Sequence, residues 1–404
     1  MRIALLGNMN NNFFCTARYL RDRGYDAHLF LLNEYDHFLP SADSYTDDFK
    51  AYTTILHWSE KPFWEVDKEE IRNTLAPYDF LIACDYAPAY IEKGGRKVNI
   101  FIPHGTDLYE YPFKKGNIYY SFNPLKMYYN VIWWIRRSSQ FWAQRKAIEK
   151  SDYVHWEATN PEWENRFASL HINRVKISMP FIYTPQYRAP EWKSIVQQSA
   201  YYNAFKKIRD SFGTVIFHQS RQMFKSYPDF DKGNDILIKG FAEYIRETSN
   251  TDICLVMLEY GIDVNESKKL ITELGIENNV RWLPKMYRKD IMVGISMCDI
   301  GVGQLKISAL TYGSICEFLA MGKPTIHHCN AELYKNHYKE LYPTIDARTP
   351  EQVKQGLKLL IENKAMAKEM GEKGQAWFDE YVIKQPVERI IYAIEEFKKK
   401  KGIK

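Results

Sequence analysis

A carboxylate, two cations and an imidazole sit where short apolar runs of this sequence give way to polar loops. Glu317 follows Ser314 by three residues in the stretch running from Tyr312 to Ile326, where Gly313 ends a loop, Gly322 stops a helix and Pro324 opens a strand. A helix N-terminus behind a glycine loop offers free N–H groups and the positive end of a dipole, which suits a phosphate, and a carboxylate one turn inside could accept from paired ribose hydroxyls. Ser-x-x-Glu is equally a capping box that needs no ligand, and both readings stand. Arg221 follows the run Thr214–His218, and Lys232-Gly-Asn-Asp235 opens the next helix. An arginine and a lysine at the mouth of one strand-loop-helix unit can jointly neutralise a diphosphate. His104, after Val98–Ile102 and before Gly105-Thr-Asp107, is placed for acid-base or hydrogen-bonding work, or is tied to a turn carbonyl. Asp229-Phe-Asp231 has the shape of a metal-binding pair but no third carboxylate nearby, so no metal is expected.

These residues need a frame that gathers them. Arg2–Gly7, Ala27–Leu32, Phe80–Cys84 and Val98–Ile102 are continuous apolar runs separated by helical or polar segments, the pattern of buried parallel strands. Ligands of such sheets collect beyond the strands' carboxyl ends, where Gly7, Asn8, Asp85 and His104 would lie. From about Pro180 to Phe212 the pattern breaks down, and Thr214 starts a second α/β run. The expected division is a first domain over 1–183 completed by 380–404, a junction over 184–212 and a second domain over 213–379.

With 404 residues, two cores are natural, and a net charge of +5, from 55 Lys and Arg against 50 Asp and Glu, is too small to argue for nucleic acid. The six cysteines are scattered without a Cys-x-x-Cys pair and read as reduced core residues of a cytoplasmic protein. No signal-peptide pattern or membrane span is expected. Residues 123–150 stand apart: Tyr128, Tyr129, Trp133, Trp134, Phe141 and Trp142 are interleaved with Lys126, Arg136, Arg137, Arg145 and Lys146. That mixture suits peripheral contact with an anionic bilayer on the inner face of the cell membrane, or a helix that packs its tryptophans inward.

His218-x-Ser-Arg221, Lys232-Gly-Asn-Asp235, Glu259-Tyr-Gly261, Trp282-Leu-Pro284, Cys298–Gln304 and Tyr312-Gly-(x)3-Glu317-(x)2-Ala-x-Gly-Lys-Pro324, in this order and spacing, resemble the retaining GT-B glycosyltransferases of group 1 (family 4-like). The match lies chiefly over 214–330. It implies two Rossmann-like domains facing each other across a cleft, with the C-terminal helix returning to the first. It also implies transfer from a UDP- or GDP-sugar, with no other cofactor, to a glycan or lipid-linked acceptor in bacterial surface polysaccharide or glycoconjugate synthesis. Arg221 and Lys232 would hold the diphosphate, Glu317 the ribose, and the backbone from Pro284 through Lys285 to Met286 the base. Gly7, Asn8, Glu259, Thr311, Tyr312, Gly313 and Ser314 complete the implied donor side. Asn10, Asp85, His104 and Asp107 form the acceptor side, with His104 facing the transferred sugar. The family's usual glutamate eight residues before the ribose-binding one is Ala309 here, and Tyr312-Gly313 stands one residue nearer to Glu317, so sugar contacts would fall to backbone near Thr311–Ser314. A nucleotide-sugar 2-epimerase and a non-catalytic nucleotide-sugar-binding protein share the fold and remain as alternatives.

Overall fold

The structure is a computed structural model that describes residues 1–32, 35–114, 118–156, 164, 167–308, 310 and 313–403. It divides into two compact units, Met1–Tyr183 with Val382–Lys404, and Thr184–Tyr381. The α/β class read from the sequence is what the chain adopts.

The first unit is built on a parallel sheet of seven strands, β1 Arg2–Leu6, β2 Asp26–Leu31, β3 Thr53–Ile55, β4 Phe80–Ala83, β5 Ile100–Phe101, β6 Tyr153–His155 and β7 Arg174–Val175, in the order β3-β2-β1-β4-β5-β6-β7. Successive side chains leave opposite faces of a strand. Ile3 and Leu5 therefore pack with Phe13, Ala17 and Leu20 of helix Asn12–Asp22 and with Ile390, Ala393 and Ile394 of the C-terminal helix Gln385–Lys401. Ala4 and Leu6 pack on the other side with Ile71, Leu75, Ile91 and Ile148.

The second unit repeats the plan with β8 Thr214–His218, β9 Ile253–Glu259, β10 Val280–Pro284, β11 Ile300–Val302, β12 Thr325–His327 and β13 Ile345–Asp346, all parallel, in the order β10-β9-β8-β11-β12-β13. Ile216, Leu255 and Met257 meet Leu237 and Phe241 of helix Asn234–Thr248, and Val353 and Leu357 of helix Pro350–Glu362. The stretch 184–212, read from the sequence as a junction, is helical and packs within this unit. Phe205 stacks edge-on against Phe217, and Ser199 Oγ donates to Asp290 Oδ1 at 2.6 Å.

Each sheet winds outward both ways from a central strand, so each has one point where the chain reverses direction, between β1 and β4 and between β8 and β11. Crevices for ligands form beyond the carboxyl ends of strands at such points. The loops after β1 and β4 carry Gly7 and Asp85, and those after β8 and β11 carry Arg221 and Gln304.

Candidate functional site

In the first unit Gly7, Asn8, Asp85, His104 and Asp107 line one cavity of about 580 Å³, with Tyr35, Phe38, Tyr86 and Tyr90 among its walls. Asn10 is exposed and does not line it. Gly7 has φ +95°, and a Cβ there would stand 2.5 Å from Cys84 Sγ and 3.2 Å from Asp85 Oδ2, so only glycine lets β1 and β4 end this close together. The Asn8 side chain serves the loop itself. Its Nδ2 donates to Asn11 Oδ1 at 2.8 Å and to the Phe38 carbonyl at 2.6 Å, and its Oδ1 accepts from Phe14 N. That leaves the backbone of residue 8 to offer to a ligand.

Asp107 is an anchor. Its carboxylate accepts from the N–H groups of Asp85, His104, Gly105 and Leu108 at 2.8–3.2 Å and so binds the loop after β4 to the loop after β5. Burial, followed by the nearby Asp85 charge, nonetheless raises its pKa. Gln144, buried on helix Pro124–Lys150, donates from Nε2 to the carbonyls of Asp85 and Asp107 and accepts from Ala89 N. Asp85 is itself held at φ +53°, a conformation that L-residues adopt rarely and that recurs at functional sites. Its carboxyl, near the Cys84 thiol at 3.5 Å, is pushed up to about 6 by burial. His104 Nε2 is buried with no partner among the described residues, and burial, then the charge of His155, push the ring down to about 4. At neutral pH it is an uncharged imidazole with one nitrogen left for a ligand. Cys84 Sγ, an Asp85 oxygen and a His104 nitrogen lie within 4.8 Å of one another. Burial raises the Cys84 thiol well above its usual range.

In the second unit the two basic loops are locked together. His218 Nδ1 bonds the Val302 carbonyl at 2.9 Å, which leaves Nε2 to accept from Asn234 Nδ2 at 2.9 Å. Asn234 Oδ1 accepts from Met223 N, tying the start of helix Asn234–Thr248 to the loop that carries Arg221. Gly261 presses on the same loop, since a Cβ there would stand 2.2 Å from the Gln222 carbonyl oxygen. Arg221 donates from Nη2 and Nε to Tyr260 Oη at 3.0 and 3.3 Å. Lys285 reaches the same ring at 5.1 Å, and Met286 beside it is buried. Lys232 Nζ donates to Gln304 Oε1 at 3.1 Å, and burial, followed by the Arg221 charge, lowers its pKa, so both cations act on one small volume. Glu259 ends β9 with its carboxylate paired to Lys268 on the surface.

Helix Gly313–Ala320 includes Ser314 within its first turn, and the expected capping box is absent. Ser314 Oγ is buried with no partner among the described residues. The Glu317 carboxylate turns instead to Gln219 Nε2 at 2.6 Å and Arg288 Nε at 3.1 Å, because it lies buried in the helix's inner face where those two groups project. Thr311, Tyr312 and Ala309 lie outside the described residues. Sequence reasoning passed over Gln219, Gln304 and Arg288. Arg288 carried a signal, because it is the first residue of helix Arg288–Met297 and a cation there opposes the helix dipole unless a carboxylate answers it.

Residues 229–377 match the family of glycosyl transferases group 1. The match covers most of the second unit, and the two-domain GT-B fold extends over nearly the whole chain. The Anabaena protein HepE, solved with UDP and glucose, superposes with a TM-score of 0.61 at 16% identity, covering 98% of this chain and 100% of that one. A glycosyltransferase from Rickettsia africae ESF-5 gives 0.59 at 15%, covering 98% of each chain. Sucrose-phosphate synthase from Thermosynechococcus elongatus gives 0.59 at 12%, again covering 98% of each. None of the curated proteins matches the sequence.

Proposed function

We propose that this glycosyltransferase moves a sugar from a UDP- or GDP-sugar to a glycan or lipid-linked acceptor, with retention and without a metal, in bacterial surface polysaccharide or glycoconjugate synthesis. The observation that carries the reading is the grouping of Arg221, Lys232 and the start of helix Gly313–Ala320. Gln219, two residues before Arg221, donates to both the Ser314 carbonyl and Glu317. Negative charge grows on the diphosphate as the bond to the sugar breaks, and two fixed cations with aligned N–H groups stabilise that charge without reorganising. Glu317 takes the ribose hydroxyls. On the acceptor side, Asp85 accepts a hydroxyl proton in a hydrogen bond, and His104, uncharged, bonds the sugar or the acceptor through Nε2.

Replacing Arg221 or Lys232 with Ala should weaken UDP or GDP binding, measured by calorimetry, roughly ten- to hundredfold, the worth of a charge-assisted phosphate contact of about 1.5–3 kcal/mol. Wild-type affinity in both variants would remove the phosphate assignment. Turnover of the donor with no acceptor present would point to the epimerase instead.

A lipid-linked acceptor is supported by the surface of helix Pro124–Lys150. Leu125, Tyr128, Tyr129, Trp133, Ile135 and Trp142 are exposed, as is Phe122 just ahead of the helix, while Trp134 is half-buried against Trp142; the exposed set supports the surface reading. Lys126, Arg136 and Arg137 are exposed among them, while Arg145 and Lys146 are held in ion pairs with Glu149 and Glu92. No helix among the described residues is long and apolar enough to cross a membrane, which leaves contact through such a face.

A further inference from the structure

Arg221 is exposed on the loop after β8, yet its guanidinium is held along one side. The loop beneath it is clamped to the loop after β9. Gln222, fully buried beside Arg221, donates from its backbone N–H to the Tyr260 carbonyl at 2.6 Å. Its own carbonyl accepts from Asp263 N at 3.1 Å, and its Oε1 accepts from Ser267 Oγ at 2.9 Å. The two loops therefore carry Arg221 and Tyr260 as a fixed pair. The phenol completes it, since Tyr260 Oη accepts from both Nη2 and Nε and so occupies one edge of the guanidinium. Of the five N–H groups, two on Nη1 and one on Nη2 have no partner among the described residues, and that end of the fork matches two phosphate oxygens. Arg221 Cζ and Lys285 Nζ also stand 5.2 and 5.1 Å from the centre of the Tyr260 ring, so two cations hold the ring in place.

We propose that Tyr260 is a positioning residue whose hydroxyl holds the Arg221 guanidinium with its Nη1–Nη2 edge turned to the donor's diphosphate. The proposal rests on the phosphate role of Arg221 given above. An arginine loses side-chain freedom when it grips an anion, and one already held by two hydrogen bonds has less to lose. A cation fixed beforehand also stabilises the growing charge of the leaving diphosphate without moving. Held there, Arg221 is close enough to Lys232 to act on it, because the pKa of that amine is lowered by burial and then by the Arg221 charge. A ring needed only for packing would make the same cation contacts as phenylalanine, with no hydroxyl set between two donors of one arginine.

Calorimetry with UDP and GDP on wild-type protein, Tyr260→Phe, Arg221→Ala and the double variant tests this, because phenylalanine keeps the ring and removes only the hydroxyl. Tyr260→Phe should weaken nucleotide binding about three- to tenfold at an unchanged melting temperature, a loss set by the ordering of one long side chain. In the Arg221→Ala background the same change should alter affinity by less than about twofold, since Tyr260 acts only through that guanidinium. Wild-type affinity in Tyr260→Phe, or a loss as large without Arg221 as with it, overturns the proposal and leaves Tyr260 a structural residue. If Tyr260→Phe does not fold, Tyr260→Leu carries the same comparison. Wild-type affinity in Arg221→Ala would instead remove the phosphate reading, and wild-type protein that binds neither UDP nor GDP would remove the donor reading, each taking this proposal with it.

Discussion

Holding Asp85 ionised inside its cavity costs stability, and Asp85→Asn should recover that cost only at pH values where the carboxyl is charged. Burial moves the group from 3.8 to about 6. At 1.36 kcal/mol per unit, the gap of about two units corresponds to about 3 kcal/mol. The folded protein binds this proton more tightly than the unfolded chain. The group therefore contributes stability that is fully present below about pH 4 and is lost as pH rises through about 6. Asparagine is neutral throughout, and it tolerates the φ of +53° better than most residues, so the substitution leaves the backbone unstrained. Asp85→Asn should thus melt near the wild-type temperature at pH 4 and roughly 6–12 °C above it at pH 8, taking about 2–4 °C per kcal/mol for a unit of this size. Activity should move the other way. The ionised fraction of Asp85 falls from about nine tenths at pH 7 to about one tenth at pH 5, so wild-type kcat/KM for the acceptor should fall roughly tenfold over that window. Asp85→Asn should be slow across it, with only the Asp107 titration, raised by burial to about 7, left to shape the profile. His104 does not supply this titration, because its ring is pushed down to about 4. A variant less stable than wild type at pH 8, or one that keeps the wild-type pH profile, would refute the argument.

Acid should weaken the second unit through His218 and His327, both buried and pushed down to about 4. The unfolded chain takes up these protons first as pH falls through 6.5, so stability drops by about 2 kcal/mol per histidine between pH 7 and 5 and levels off below 4, read as falling urea midpoints; a second unit equally stable at both values would refute it. Wild-type protein should sediment with anionic liposomes at low salt and be released by salt, at about 1 kcal/mol per basic residue near the surface, and changing Phe122, Leu125, Tyr129 and Trp133 together to Ser should abolish sedimentation while activity on a soluble acceptor analogue survives. Binding unaffected by those four changes would assign the patch to another partner.

The buried strands were legible because apolar residues on both faces leave continuous runs, as in Leu29–Leu31 or Ile253–Leu258. Two of the sheets' outer members were not. Thr53–Ile55 and Ile345–Asp346 are edge strands of three and two residues, partly exposed, with no run to see. In the candidate site, Arg221, Lys232 and His104 could be placed at the ends of strands and the start of a helix directly, because their loops are marked in the sequence. Asp107 and Asn8 could be located but not assigned, because whether a polar side chain serves a ligand or its own backbone depends on which N–H groups the fold brings within 3 Å. The capping box at Ser314 failed for the same reason. The pattern Ser-x-x-Glu states what two side chains could do locally, and a guanidinium 29 residues away in sequence decided otherwise.

Helix Pro124–Lys150 shows why composition could not choose between its two readings. Its aromatic residues are spread around the axis, so no face is marked as inner, and the residues it buries most deeply are Ser138, Gln144, Ala147 and Ile148. The polar Gln144 is the informative one, because it holds the carbonyls of Asp85 and Asp107 and so braces both loops of the first unit's cavity. Trp133, on the exposed stretch, is eleven residues earlier, about 16 Å along the axis at 1.5 Å per residue. One continuous helix therefore links the aromatic surface to the walls of the cavity. A bilayer that engaged Phe122 through Trp133 would stand at a set distance from Asp85 and His104, and a lipid-linked acceptor would have that span to cover with its polar head.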